Sequence, residues 1–483
     1  MPHSPSRYAA SAFCALLGSC VVFGSSPKAR AQVPSAAPSS TAPPSFVAPL
    51  PTAPVVDDRW LTPIPPAPRV IESWGAALEL VRSRSTDLGT AYAQVRSAEA
   101  QARSALAAIL PTINASANVP HHFITRETGT VISTSTANVR PITTPQSDYL
   151  AVNVSLQQSL INVQAWQGIG TAREAIKVQQ LAAEDMSRIV SLGVATAMVS
   201  VVAAERVAEL NRNGLRTALE RKDLTARKRA LGVGTGLDVV RADQDVAAAR
   251  ATIVASNEAL RKAREALGLA VGLPQAVGVA ASLKLDDVFA GAAKTCPHVD
   301  SVTERADLAA SQKRLEVAAR NVRNTELSFL PTLSASSSFS TTTADTGAAL
   351  PSTWSIQAVL NVPIWDGGNR YGTLRNNRAL RDTAGFQLEA LRRTVTVQLD
   401  QANRNVTVAE DGLEVARDSR ALAAQIDQLT QTQYRAGQGT SLELVIAAAA
   451  LRQADISLAL REFDVVTARL QALFALARCS GTP

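Results

Sequence analysis

Residues 108–116 read Ala-Ile-Leu-Pro-Thr-Ile-Asn-Ala-Ser, and residues 328–336 read Ser-Phe-Leu-Pro-Thr-Leu-Ser-Ala-Ser. In both places a helical pattern meets Leu-Pro and gives way to period-two alternation. Proline cannot continue a helix, and its predecessor is pushed to extended backbone. A second pair of landmarks follows in the same order. Leu231-Gly232-Val233-Gly234-Thr235-Gly236-Leu237-Asp238 matches Ala436-Gly437-Gln438-Gly439-Thr440-Ser441-Leu442-Glu443. The offsets are 220 residues (108 to 328) and 205 residues (231 to 436). Two landmarks in fixed order mark a duplicated unit. The first copy is longer by 15 residues, and the polar stretch from about Phe123 to Asp148 fits one long loop there.

Each copy follows one plan. A helix comes first, Trp74 to about Ala108 and Val302 to about Ser328. Two strands follow the Leu-Pro step. Thr112 to Val119 alternates polar and apolar, and Leu150 to Gln157 nearly does; Leu333, Ala335 and Phe339 alternate with serines, and Trp354, Ile356, Ala358 and Leu360 with Ser355, Gln357 and Asn361. Period two with small polar partners is the pattern of a transmembrane β-barrel, and also of a soluble amphipathic sheet. Next come helices without proline, about Gln164 to Leu231 and Asn369 to Tyr434. At 1.5 Å per residue each extends roughly 100 Å. Leu391, Val395, Leu399, Ala402, Val406, Ala409 and Leu413 form a coiled-coil stripe. After each Gly-rich turn a helix returns, Leu237 to about Val271 and Leu442 to about Leu476.

Composition agrees with long, closely packed helices: 46% hydrophobic but only 4% aromatic in 483 residues. The net charge of +7 is scattered, with no dense basic block, so nucleic-acid binding is not expected. Arg7, an apolar run from Tyr8 to Phe23 and Ala29-Arg30-Ala31 read as a signal peptide over 1–31. Leu17-Gly18-Ser19-Cys20 also resembles a lipoprotein box, with Cys20 the acylated residue. Beyond the signal, two cysteines remain, Cys296 and Cys479, and an even pair in an exported chain suggests a disulfide. No later segment has 18 consecutive apolar residues, so a membrane-spanning part would be a barrel.

Four strands cannot seal themselves in lipid, because an open edge leaves backbone groups unpaired. Protomers must then share one barrel. Two copies would give eight strands with a filled interior, and three would give twelve strands with a lumen. Strand count alone does not choose between them, though a conduit needs the larger one. The fold class expected is mainly α with transmembrane β: a duplicated long-helix coiled coil with four β-strands per protomer.

The residues resemble the TolC-like outer-membrane efflux protein family over about Ile71 to Ala477. The resemblance is carried by the Leu-Pro-Thr strand openings at Leu110 and Leu330, by Val362-Pro363-Ile364-Trp365-Asp366-Gly367-Gly368, and by Tyr434-Arg435-Ala436-Gly437 leading to Leu442-Glu443. The first copy departs, since Gln158-Ser159-Leu160-Ile161-Asn162 has neither the proline nor Asp-Gly-Gly. The chain then divides as 1–31 signal peptide; 32–69 Pro/Ala/Ser-rich linker, expected to be disordered; 70–273 first repeat, with strands at about 112–122 and 149–160; 274–301 inter-repeat linker; and 302–478 second repeat, with strands at about 332–342 and 353–363. What the resemblance implies is a homotrimer in outer-membrane lipid, with a trimeric twelve-stranded β-barrel continued by a periplasmic α-helical barrel, and no catalysis. Its partners would be a periplasmic adaptor (membrane fusion protein) and an inner-membrane pump, and it would be a passive exit duct for drugs, metals or metabolites. Type I protein secretion and a non-pore periplasmic coiled-coil scaffold are the alternatives.

In that family the tip glycines, here Gly232, Gly234, Gly437 and Gly439, lie where adaptor hairpins dock, and acids beyond them ring a closed aperture. Asp238 and Glu443 hold the matching positions, each six residues past its tip glycine. A carboxylate ring favours cations; the same acids also suit the first turn of a helix. One turn on, this chain has Arg241 and Ile446, and Arg241 is placed to pair with Asp245 or Asp238. No metal site is expected: His121 and His122 are adjacent on a strand and point apart, and Cys296 with His298 has no further ligands. No cofactor motif or nucleophile–base constellation is present, and Gly232-Val233-Gly234-Thr235-Gly236 follows a helix and lacks phosphate-loop spacing.

Overall fold

The computed structural model describes residues 56–121, 123, 148–299, 301–343 and 352–479. The signal peptide, Cys20, residues 32–55, His122 and nearly all of the long first-copy loop lie outside the described residues. In chain order the elements are β1 (Arg69–Ile71), α1 (Trp74–Arg84), α2 (Thr86–Ala107), β2 (Thr112–Asn118), β3 (Ala151–Ile161), α3 (Val163–Ala230), α4 (Gly236–Ala270), β4 (Val277–Val279), α5 (Leu285–Thr295), α6 (Ala306–Leu327), β5 (Thr332–Thr342), β6 (Ser352–Asn361), α7 (Asn369–Arg435) and α8 (Ser441–Ala475).

The long helices α3 and α7 are the axis of the fold. Near the sheet, α2 and α6 pack beside them; toward the far end α4 returns along α3, and α8 returns along α7. The single helix expected over Trp74–Ala108 is broken at Ser85, which ends α1 and caps α2 by accepting from the Leu88 amide. The helix expected from Val302 starts at Ala306, after a single turn at Val302–Glu304. On α7 the residues from Leu391 to Leu413 of the coiled-coil stripe are buried or half-buried. A second apolar stripe lies on the opposite face. Phe386, Val397, Val408, Val415, Leu422, Ile426 and Leu429 are each 52–71% exposed.

β2, β3, β5 and β6 form an antiparallel sheet in that order, with β2 and β6 at its edges. β6 stops at Asn361, two residues before Pro363, which has no amide to donate to a ladder. In the first copy no such punctuation exists; Asn162 alone turns strand into helix, its side chain accepting from the Ala165 amide. The register aligns polar rows across all four strands: Ser116–Asn153–Ser340–Thr353, Asn114–Ser155–Ser338–Ser355 and Thr112–Gln157–Ser336–Gln357. Ile113, Val154, Phe339, Trp354 and Ile356 alternate with them on the other face.

A belt core midway along the rods joins the copies. Ile71, Trp74, Val194, Met198, Leu267, Val277, Val288, Leu470 and Phe474 meet there, together with Cys296 and Cys479, which form a disulfide. α3 contains a window apolar enough to cross a bilayer, but its Val190, Val194, Met198 and Val201 are buried in this belt. The carbonyl end of α8 is also held here. The guanidinium of Arg188 donates to the Phe474 carbonyl and that of Arg305 to the Ala475 carbonyl, at 3.3 and 3.2 Å. Two buried cations thus satisfy a helix C-terminus.

The disorder expected through residue 69 does not extend that far. From about residue 56 the chain lies in the groove between α3 and α4 as a strap. Trp60 and Leu61 pack on Leu215, Ala218, Val246, Ala249 and Ile253, so the strap buries apolar surface that the sequence pattern of residues 56–69 does not advertise. Asp58 accepts from the Trp60 amide at 3.0 Å and from Arg250 at 2.6 Å, and the Pro65 carbonyl accepts from Arg264 at 2.8 Å. Asp58→Ala should cost about 1–2 kcal/mol, since Arg250 is half exposed. Trypsin cleavage after Arg59 should therefore rise about tenfold, as read by gel densitometry, and Arg250→Ala should act alike.

Candidate functional site at the helix tips

Each tip is built from two stock pieces. At the end of α3, the Val233 amide donates to the Lys228 carbonyl and the Gly232 amide to the Arg229 carbonyl. At the end of α7, Gln438 donates to Gln433 and Gly437 to Tyr434. These are Schellman closures, which need a residue with positive φ. Gly232 (φ 76°) and Gly437 (φ 77°) supply it. Gly234 and Gly439 do not take positive φ; they are small because a Cβ would stand 3.0 Å from the Arg229 amide nitrogen and 3.1 Å from that of Tyr434.

Two capping boxes then start the returning helices. The Asp238 amide donates to Thr235 Oγ1 and Asp238 Oδ2 accepts from the Thr235 amide; Glu443 and Thr440 do the same. Both candidate acids therefore already work as helix caps. The Thr-x-x-Asp and Thr-x-x-Glu patterns were present in the sequence as the signal for this. Asp238 does more: its Oδ1 accepts from Ser441 Oγ, across to the second hairpin. The Ser441 hydroxyl, then the Thr235 amide and hydroxyl, with Arg241 behind them, hold the Asp238 carboxyl below its ordinary value.

Arg241 does not pair with Asp245. Asp245 is 4% exposed and is taken by Arg221 at 3.0 Å and Arg452 at 3.5 Å. Burial pushes the Arg221 guanidinium below its ordinary value, opposed by Asp245 and Asp427. Asp245 thus ties α3, α4 and α8 through Arg221 and Arg452, and Asp427 on α7 adds its charge nearby. Nearer the tip, Lys228 Nζ sits 3.7 Å from the Tyr434 ring centroid and donates to the Tyr434 carbonyl at 3.2 Å. No local motif announces the contacts of Lys228 with Tyr434 or of Asp245 with Arg452, because the partners are some 200 residues apart. Among the described residues no cluster of His, Cys, Asp or Glu could hold a metal ion.

The profile of the outer membrane efflux protein family matches residues 77–273 and 300–482. The chain belongs to that family. It is 24% identical to the toluene efflux pump outer membrane protein TtgC of Pseudomonas putida over 53% of each chain. It is 28% identical to OprJ of Pseudomonas aeruginosa over 44% of this chain and 46% of OprJ. The match thus spans about half the length of these two relatives. With the efflux protein BepC of Brucella suis the identity is 26% over 71% of this chain and 76% of BepC. Among solved structures, the CmeC outer membrane channel of Campylobacter jejuni superposes with a TM-score of 0.69 at 15% identity, over 90% of this chain and 95% of CmeC. VceC of Vibrio cholerae gives 0.67 at 17% identity, over 83% and 95%. These neighbours establish the fold of this efflux protein as that of the TolC-like outer-membrane channels.

Removing Asp245 would leave Arg221 and Arg452 buried without their shared partner, a loss of about 3–5 kcal/mol. Asp245→Ala should lower the urea midpoint of the helical signal. Asp245→Ala combined with Arg452→Leu should recover part of it, which a double-mutant cycle would measure.

Proposed function

We propose that three copies assemble into a passive exit duct across the outer membrane. The duct would serve a tripartite efflux system, receiving small molecules from an inner-membrane pump through a periplasmic adaptor. The observation that carries this reading is the pair of sheet edges on β2 and β6, at the end of rods roughly 100 Å long. An edge in lipid must be paired, and a neighbouring copy supplies the complement. The second stripe on α7 supports the same assembly. Phe386 to Leu429 stand opposite the face that packs inside the protomer, and a helix apolar on two faces is packed on both. Val408, Val415, Leu422 and Leu429 keep a seven-residue spacing, as a helix–helix seam does.

The family membership supports an efflux role, and the names of TtgC and BepC point to outer-membrane efflux components for those proteins. At the far end, the tips around Gly232, Gly234, Gly437 and Gly439 are the surface for the adaptor. Asp238 and Glu443, repeated around the axis, form the aperture, with Arg241 beside them. The caps and the Asp238–Ser441 bond hold this aperture narrow.

The protein should need detergent for extraction from outer membranes and should have three times the protomer mass in light scattering. Release by carbonate washing as a monomer would refute the duct. Deletion should raise susceptibility to exported compounds; unchanged susceptibility with impaired protein export would favour secretion instead.

Asp238→Asn with Glu443→Gln should raise single-channel conductance or lower cation selectivity in planar bilayers, and no change in either would remove the gate. The pH dependence has a definite sign. The Asp238 carboxyl is depressed in the folded state, so its contribution is complete above the ordinary value of 3.8 and is lost only as pH falls through the lowered one. Asp238 should therefore contribute no change in conductance between about pH 7 and pH 5.

A further inference from the structure

The four membrane strands contain no Asp, Glu, Lys, Arg or His. In the chain as a whole 18% of residues are Asp, Glu, Lys or Arg. Charge returns close to the sheet, at Asp366 and Arg370, which pair at 2.8 Å where β6 leads into α7. Its absence is therefore confined to the strands. The register sharpens this. The central row, Asn114–Ser155–Ser338–Ser355, and the rows on either side of it consist wholly of hydroxyls and carboxamides.

Such groups both donate and accept hydrogen bonds. The Ser338 and Ser355 hydroxyls lie 2.9 Å apart across β5 and β6, bonded to one another as readily as to water. Pores that select by charge are built differently, with rings of like-charged side chains in the wall. A hydroxyl and amide wall keeps water and offers partners to either sign, and it carries no fixed charge to concentrate one ion over another. Val359, opposite Ser334, interrupts the polar face with an apolar side chain and not a charged one.

We infer that the barrel is a charge-indifferent exit, passing cationic, anionic and neutral polar solutes alike, so that discrimination by charge is made in the helical part. The inference rests on the pore reading proposed above and adds the chemistry of the wall to it. Its consequence for cargo is that the sign of charge is no barrier to leaving once the tips have admitted the solute.

The test uses the full-length protein carrying Ser338→Cys, reconstituted in planar bilayers. Cys296 and Cys479 are joined to each other and buried, so the introduced thiol reacts apart from them. A cationic and an anionic methanethiosulfonate are applied from the outer side, and each rate is divided by that reagent's rate with a free thiol. The two normalised rates should agree within about threefold, below the tenfold enrichment at which a charged wall begins to show. A preference of about tenfold or more for either sign would overturn the inference while leaving the pore intact. Ile356→Cys, on the opposite face, separates the two failures. If neither reagent reaches Ser338→Cys while both modify Ile356→Cys, the face assignment is inverted, and the pore reading falls with the inference.

Discussion

A sheet edge leaves backbone amides and carbonyls unpaired, and the four-stranded sheet of this protein has two, on β2 and β6. That constraint orders the rest of the molecule. It explains why strands with exposed apolar residues such as Ile113, Trp354 and Ile356 accompany helices far longer than a compact domain needs. It also explains why α7 has apolar stripes on opposite faces. One is consumed by α6 and α8, and the other is exposed on the single protomer. The edge and the outer stripe are on one continuous piece of chain, since β6 leads directly into α7. Pairing the sheet and packing the rods are therefore one event in the proposed assembly.

Duplication gave two hairpins, and they have diverged where they meet solvent. In the first, Arg250 reaches out to Asp58 and the groove floor of Leu215, Ala218 and Ile253 is covered by the strap. In the second, the positions 205 residues on from Leu215 and Arg250 carry Arg420 and Asp455, which pair with each other at 2.9 Å, while Ala423 and Leu458 stand for Ala218 and Ile253. One hairpin covers its apolar groove with a borrowed segment, and the other places an ion pair at one edge of the equivalent groove. Equivalent tips therefore stand on inequivalent shafts.

Much of the fold was legible in sequence because it depends on local rules. Leu-Pro at residues 110 and 330 ends helices, alternation places the strands, and the Gly-x-Gly-Thr turns mark the tips. The break at Ser85 was not legible, because the pattern on either side of it remains helical and only the serine cap marks it. The strap was missed because Pro-rich composition reads as linker, and its order comes from a groove made by residues about 150–200 positions away. At the tips the sequence offers Asp238 and Glu443 as first-turn acids, which they are, and Arg241 as a partner for Asp245 or Asp238, but it does not show that Asp245 is taken by other arginines. Arg221 meets Asp245 by packing within the first hairpin, and Arg452 by the packing of the two hairpins.

The two ends of the rods are held by different physics. At the belt, Phe474, Leu470 and Met198 are fully buried, a disulfide fixes the chain after α8, and two arginines seal its carbonyls. Moving these parts would open apolar cavities, which close-packed interiors resist. Toward the tips the links between hairpins are polar: Asp238 with Ser441, Lys228 with Tyr434, and the four-charge cluster at Asp245. Polar links can be exchanged for water or for another partner at small net cost, provided no charge is left buried alone. A displacement of one hairpin against the other is thus far less costly at the tips than at the belt. The same rods can then stay fixed at the belt while rearranging at the tips.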